Sequence, residues 1–205
     1  VIEKLKLMQL DDVEKITDEA LNRFGISRIT ENIEMVKENQ ANPGEPEKMR
    51  RVTGLNTDAH GQVMYTGESN ERAQKIRNNK LHTLKKHLSI PEIIGDEKGD
   101  LLLVGWGSTR GVLAEAVNKA KAEGINVSAM NLKVVYPLPP QLKEVFANFK
   151  QVGTVEVAYG DEIKPAPLAM ILRSETLCEV KTLVANATGR PVKPTQVVEK
   201  IKEII

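Results

Sequence analysis

The chain has 205 residues, with 29 Lys and Arg against 28 Asp and Glu and a formal net charge of +1. That balance lacks the basic footprint of a nucleic-acid binder and the like-charge block of an acidic or basic tail. One Trp, three Tyr and three Phe are the only aromatic residues, so a core must be built from Leu, Ile, Val and Ala, as in an α/β or helical domain.

No uninterrupted apolar stretch approaches the roughly 20 residues that cross a bilayer, and no charged start leads into an apolar run of the kind that directs secretion. The reading is therefore of a soluble, cytoplasmic chain with no membrane partner and no nucleic-acid partner. The single cysteine, Cys178, excludes an internal disulfide and the multi-thiolate spacing of an iron-sulfur site. The chain starts at Val1 rather than Met, which fits a fragment of a longer polypeptide.

Two halves of unlike texture meet near Gly99. In the first, Asp11 to Phe24 has the apolar spacing of one helical face and stops at Gly25, and a shorter helix is expected from Ser27 or Thr30 through Val36. Asn42-Pro-Gly-Glu-Pro46 then breaks any regular element. Arg51 to Thr66 reads as two short β pieces around an Asp-Ala-His-Gly turn. Glu68 to Leu88 is a long charged helix with a thin apolar stripe of Ile76, Leu81, Leu84 and Leu88.

The second half alternates strand and helix. Leu101-Leu-Leu-Val-Gly105 predicts a strand buried on both faces. There follow a helix over 109–123, a strand over 125–132, a helix over 140–149, a strand over 151–157, a helix over 168–176, a strand over 180–185 and a closing helix from Pro194 to Ile205. This order predicts an α/β domain with a mostly parallel sheet covered on both sides. The expected organisation is a helical extension or linker over 1–48, a hairpin and long surface helix over 49–99, and the α/β domain over 100–205.

The most suggestive local feature is Gly105-Trp-Gly-Ser-Thr-Arg-Gly111, a glycine-rich turn between a buried strand and a helix. Backbone amides at such a start can cradle a phosphate, with Ser108 and Thr109 adding hydroxyls. The third glycine comes one residue late for a dinucleotide fingerprint, and the next strand ends in Met130-Asn-Leu-Lys133 with no acid for a ribose. The turn thus reads either as a nucleotide or coenzyme A anion site or as a tight connection whose Trp106 packs or meets a partner. Glu156 ends a strand at the edge where open α/β sheets bind ligands, and reads either as a ligand or partner group or as a capping or salt-bridging carboxylate. No phosphate-binding Gly-Lys-Ser/Thr loop, nucleophile-base pair or metal spacing is present, and His60, His82 and His87 are expected to be solvated.

The order of Val52-Thr-Gly-Leu-Asn-Thr-Asp-Ala-His-Gly61, Arg77-Asn-Asn-Lys-Leu81, Val104-Gly-Trp-Gly-Ser-Thr109, Tyr136-Pro-Leu-Pro139, Val155-Glu156, Leu168-Ala-Met-Ile-Leu-Arg173 and Gly189-Arg-Pro191 resembles the carboxyl-terminal part of 2-oxoacid:ferredoxin oxidoreductase alpha subunits. The resemblance implies a three-layer α/β/α fold with a mixed sheet, similar to the carboxyl-terminal domain of transketolase. For the holoenzyme it implies thiamine diphosphate, Mg, an iron-sulfur cluster and coenzyme A, used to decarboxylate a 2-oxoacid oxidatively and reduce ferredoxin. The implied partners are a beta subunit, an upstream pyrimidine-binding domain and, through the holoenzyme, ferredoxin. This chain, lacking cluster cysteines and a Gly-Asp-Gly type diphosphate motif, is then expected to bind no cofactor alone and to serve assembly, with no catalytic residue. Its ligand or interface candidates are Gly105, Trp106, Gly107, Ser108, Thr109, Glu156 and Tyr159. Two alternatives are a free-standing nucleotide or coenzyme A binder using the Gly105–Thr109 turn, and the carboxyl-terminal domain of a transketolase or 2-oxoacid dehydrogenase. The sequence departs from the family where Asn56-Thr57 replaces the usual Glu-His and where Val157 to Pro167 forms a longer, proline-bearing loop.

Overall fold

The structure, a computed structural model, describes residues 46, 54–57, 62–161 and 163–205. The helices expected over 11–24 and 27–36, the turn at 58–61 and most of Asn42–Pro46 lie outside the described residues; Pro46 itself is an exposed turn residue. The chain divides into two compact units, one ending in sequence at His87 and the other continuing from Leu88.

In the unit ending at His87, Thr57 and Val63 form an antiparallel bridge, and the Met64 N–H donates to the Asn56 carbonyl at 3.0 Å, as the paired β pieces predict. The Asn56 amide donates to Asn70 Oδ1 at 2.5 Å and its oxygen accepts from the Arg77 guanidinium at 2.9 Å. Helix α1 spans Gly67–Lys86, two residues short of the expected end. The Thr66 hydroxyl caps it by accepting from the Ser69 N–H at 3.2 Å, a serviceable N-cap bond. No residue of α1 is buried. His82 is exposed, but His87, expected to be solvated, has its Nε2 atom buried with no hydrogen-bond partner among the described residues.

The second unit is a five-stranded sheet in the order β1-β3-β2-β4-β5, formed by β1 (Ile93–Ile94), β2 (Gly99–Trp106), β3 (Val127–Leu132), β4 (Phe149–Glu156) and β5 (Lys181–Ala185). All neighbours are parallel except β1, which runs antiparallel to β3. Helices α2 (Arg110–Ala122), α3 (Leu142–Phe146), α4 (Pro167–Thr176) and α5 (Pro194–Ile204) connect or follow the strands.

The layers follow from side-chain alternation along β2. Leu101 and Leu103 point to one face and pack with Leu113, Ala116, Val117 and Ala120 of α2 and Val197, Val198 and Ile201 of α5. Leu102 and Val104 point to the other and pack with Leu142 and Phe146 of α3 and Leu168, Ala169 and Leu172 of α4. Each such fully buried Leu or Ile is worth about 1.5–3 kcal/mol relative to exposure. The unit is therefore the three-layer α/β/α arrangement that the alternating pattern predicts.

Three boundaries differ from expectation. The helix anticipated over 140–149 is only the five residues of α3, because Phe149 pairs with Gly99 and is drawn into β4. Strand β2 begins at Gly99 for the same reason. The two-residue β1 has no expected counterpart, since two residues carry no period. Within β4, the Thr154 hydroxyl is buried with no partner among the described residues.

Candidate functional site

Every candidate residue lies at or just beyond the carboxyl ends of the parallel strands. The central pairings place Gly105 of β2 opposite Asn131 of β3 and Val155 of β4, so the turn after β2 sits between the ends of its two neighbours. In open α/β sheets this edge is where ligands and partners are met.

Two glycines shape the turn for different reasons. A Cβ on Gly105 would collide with the Thr109 hydroxyl and approach Leu113 Cδ1 at 2.8 Å, so the strand can pass under its own helix only without a side chain. Gly107 has φ +59°, left-handed backbone that L side chains rarely adopt. Gly107–Thr109 form one 3-10 turn that leads into α2.

Thr109 is turned inward. Its hydroxyl lies 2.9 Å from the Trp106 carbonyl and 3.0 Å from Asn131 Oδ1, two acceptors sharing one proton. The Asn131 amide reaches the Gly107 carbonyl at 3.4 Å, so both partners brace the turn from below. Of the two hydroxyls expected to face a ligand, only Ser108 is on the surface. Trp106 is 42% exposed. Arg110, at the first position of α2, meets Glu92 at 3.5 Å.

Glu156 is fully buried. Its two carboxylate oxygens accept from the Leu168 N–H at 2.8 Å and the Ala169 N–H at 3.2 Å. Helix α4 opens with Ala166 as N-cap, which offers no side-chain acceptor, and Pro167, which has no N–H. The Ala166 N–H donates instead to the Thr182 hydroxyl at 2.9 Å. Glu156 thus supplies the missing cap and places a negative charge at the positive end of the helix. Of the two roles open in the sequence, capping is the one its oxygens perform.

The loop closed by this cap carries Tyr159, 62% exposed, whose hydroxyl donates to Asp161 at 2.6 Å. The other Asp161 oxygen accepts from the Ile163 and Lys164 N–H groups at 2.9 and 2.7 Å. The Tyr159 hydroxyl, followed by the backbone N–H of Lys164, holds the Asp161 carboxyl below its ordinary range, and the same bond holds the tyrosine above its own. Gly160 lies against the Ala166 backbone, where a Cβ would come within 2.7 Å of the amide nitrogen.

Polar groups here are spent on holding loops, while apolar ones face out. Trp106, Tyr136, Val157, Tyr159 and Ile163 are 42%, 61%, 45%, 62% and 94% exposed; Trp106 is the last residue of β2 and the others follow the ends of β3 and β4. A hollow of about 130 Å³ beside β3 is lined by Ser89, Ile90, Pro91, Glu92, Lys133, Val134 and Pro139 among others, and by none of the candidates. Sequence reasoning passed over Asn131 and Thr182. Each is a polar residue inside a strand, next to last in β3 and second in β5, and that was the available signal. Among the described residues no group of three His, Cys, Asp or Glu is placed to hold a metal, and no helix is long and apolar enough to span a membrane.

Comparison with known proteins bears on the domain that carries this edge. Residues 99–197 match the model for pyruvate:ferredoxin oxidoreductase core domain II. The 2-oxoglutarate oxidoreductase subunit KorA of Mycobacterium tuberculosis is 29% identical over 145 residues, covering 69% of this chain and 21% of that protein. The 2-oxoacid:ferredoxin oxidoreductase 1 alpha subunit of Aeropyrum pernix is 32% identical over 114 residues, 54% of this chain and 17% of that one. Among solved structures, 2-oxoglutarate:ferredoxin oxidoreductase from Magnetococcus marinus, with 2-oxoglutarate, coenzyme A and succinyl-CoA bound, aligns over 80% of this chain and 28% of its own, with 29% identity and a TM-score of 0.65. The chain spans between 17% and 27% of the length of the curated relatives it matches. Residues 99–197 thus match the pyruvate:ferredoxin oxidoreductase core domain II model, and the chain's resemblance to the alpha subunits of 2-oxoacid:ferredoxin oxidoreductases, first read from the order of its motifs, is shown by these comparisons.

Proposed function

We propose that this chain is an assembly domain of a thiamine-dependent 2-oxoacid:ferredoxin oxidoreductase, in which the holoenzyme converts a 2-oxoacid to acyl-CoA and reduces ferredoxin. The observation that carries the reading is the division of labour at the carboxyl edge. Thr109, Asn131, Glu156 and Asp161 direct their polar atoms at backbone, at one another or, for one Asp161 oxygen, at the Tyr159 hydroxyl. Trp106, Tyr136 and Tyr159 are left as exposed amphipathic rings. Buried aromatic anchors dominate protein interfaces, and an edge of this composition suits docking better than chemistry.

The residues present do not fit an iron-sulfur cluster or a metal-held diphosphate. The chain has one cysteine, half-buried, and the described residues contain no acid or histidine group at ligand spacing. Those groups are assigned to the beta subunit and the upstream pyrimidine-binding domain, and coenzyme A to the assembled enzyme. Gly105, Trp106, Gly107, Ser108, Thr109, Glu156 and Tyr159 then act as interface or supporting residues, with Glu156 and Thr109 shaping the loops that Trp106, Ser108 and Tyr159 present. Within the chain, residues 100–205 form the docking domain and 49–99 lead into it.

The test is reconstitution of the holoenzyme from the beta subunit, the remainder of the alpha subunit and this chain. The expected result is thiamine-dependent, ferredoxin-linked decarboxylation that requires the chain, with Trp106→Ala plus Tyr159→Ala weakening co-elution of the subunits. Equal activity from an assembly without the chain refutes the reading.

A further inference from the structure

The near-zero net charge conceals a strong local asymmetry. Six of the chain's 29 basic residues and none of its 28 acidic ones lie between Arg72 and His87, so the rest of the sequence is acidic by five charges. That basic segment is nearly coextensive with α1, a helix without one buried residue.

Helical geometry sorts the side chains. Ala73, Ile76, Leu81 and Leu84 are the half-exposed residues of one side. Arg72, Lys75, Asn79, His82 and Lys86 are all exposed and follow one another by three, four, three and four, the spacing that keeps side chains in one row. At 1.5 Å per residue the row is about 21 Å long. Lys75 pairs with Glu71 at 2.7 Å, whereas Arg72 and Lys86 have no acidic partner among the described residues. A row whose three cations, Arg72, Lys75 and Lys86, share one intramolecular carboxylate among the described residues gains from a matching row of carboxylates on a partner.

We propose that this exposed face of α1 is a docking surface for an acidic protein partner, one that presents carboxylates along a helix or strand. Charge complementarity sets the class of partner, and the companions of the row narrow it. A membrane would need exposed apolar residues along the same face, and the row has none. A nucleic acid would lack a stacking platform, because the described part of α1 has no Trp, Tyr or Phe to stack on a base. The inference does not depend on the assembly role proposed above, because it uses a different unit of the chain.

The test uses the 205-residue chain and, as probe, a labelled synthetic helical peptide with Glu at the same three-and-four spacing, followed by fluorescence anisotropy. Binding should weaken about tenfold or more between 50 and 200 mM salt and fall by a similar factor in Arg72→Gln/Lys75→Gln/Lys86→Gln, whose far-ultraviolet circular dichroism should match the parent. A scrambled peptide of equal charge should bind several-fold more weakly. Equal binding of the scrambled peptide, or an unchanged affinity in the triple variant, overturns the proposal. Tighter binding to a duplex oligonucleotide or to phosphatidylserine vesicles than to the peptide overturns it in favour of that other class.

Discussion

Replacing Glu156 by Gln separates a structural carboxylate from a ligand-binding one. The native side chain accepts two backbone hydrogen bonds at 2.8 and 3.2 Å in a fully buried position. Glutamine keeps one acceptor. Its amide presents hydrogens to the second N–H, so one donor is orphaned and two donors face each other. The lost charge-assisted bond costs about 1.5–3 kcal/mol, and removal of the negative charge from the start of α4 adds roughly 0.3–1 kcal/mol. Glu156→Gln should therefore lose about 2–4 kcal/mol, read as a lower urea midpoint with unchanged slope and a Tm lower by roughly 4–16 °C. Glu156→Asp should also be destabilised, because one methylene less cannot reach both N–H groups. If Glu156→Gln stays within about 0.5 kcal/mol of the parent, the capping argument is wrong and the carboxylate is free for another role.

Further outcomes follow from the same geometry. Thr154→Val removes a buried hydroxyl that has no partner and keeps the shape, so the urea midpoint should stay or rise, by up to about 1 kcal/mol in stability; a clear loss would mean the hydroxyl is bonded. Gly105→Ala drives a methyl into Thr109 and Leu113 and should cost about 1–3 kcal/mol, with amide shifts in Gly107 to Arg110 showing that the turn has moved. The Asp161 carboxyl is held low by Tyr159 and by backbone N–H groups, so its loop contacts are complete above the ordinary carboxylate pKa near 4 and are lost as pH falls through the lowered value. The Ile163 and Lys164 amide resonances should stay constant down to about pH 4 and shift below it; shifts of the same size in Asp161→Asn would contradict the assignment.

The α/β alternation was legible because burial on both faces leaves runs such as Leu101–Val104 that only an internal strand accommodates, and because Pro194 and Gly124 mark helix limits. Pairing partners were not legible. Phe149 carries equal apolar weight in a helix or a strand, and only Gly99 beside it decides in favour of β4. The two-residue β1 depends wholly on Met130 and Ala129 of β3. The candidate edge was located by its glycines and strand ends, yet the direction in which each polar atom points was not. Thr109 reads as a surface hydroxyl until Asn131, 22 residues away, draws it inward. Glu156 reads as a free strand-end acid until the absence of a capping side chain at Ala166 and of an N–H at Pro167 gives it work 12 residues downstream.

That last connection sets where the molecule can tolerate change in length. Because Glu156 ties the end of β4 directly to the start of α4, the segment between them is closed at its base whatever its contour. Loop-closure entropy grows only logarithmically, about 0.6 kcal/mol for each doubling of length. Insertions between Val157 and Lys164 should leave the sheet and its helices intact, while the same insertions between Gly105 and Thr109 would part the Thr109 hydroxyl from the Trp106 carbonyl and Asn131 and so displace the start of α2. The loop after β4 is thus the natural place to attach a reporter or graft a new recognition sequence onto this scaffold.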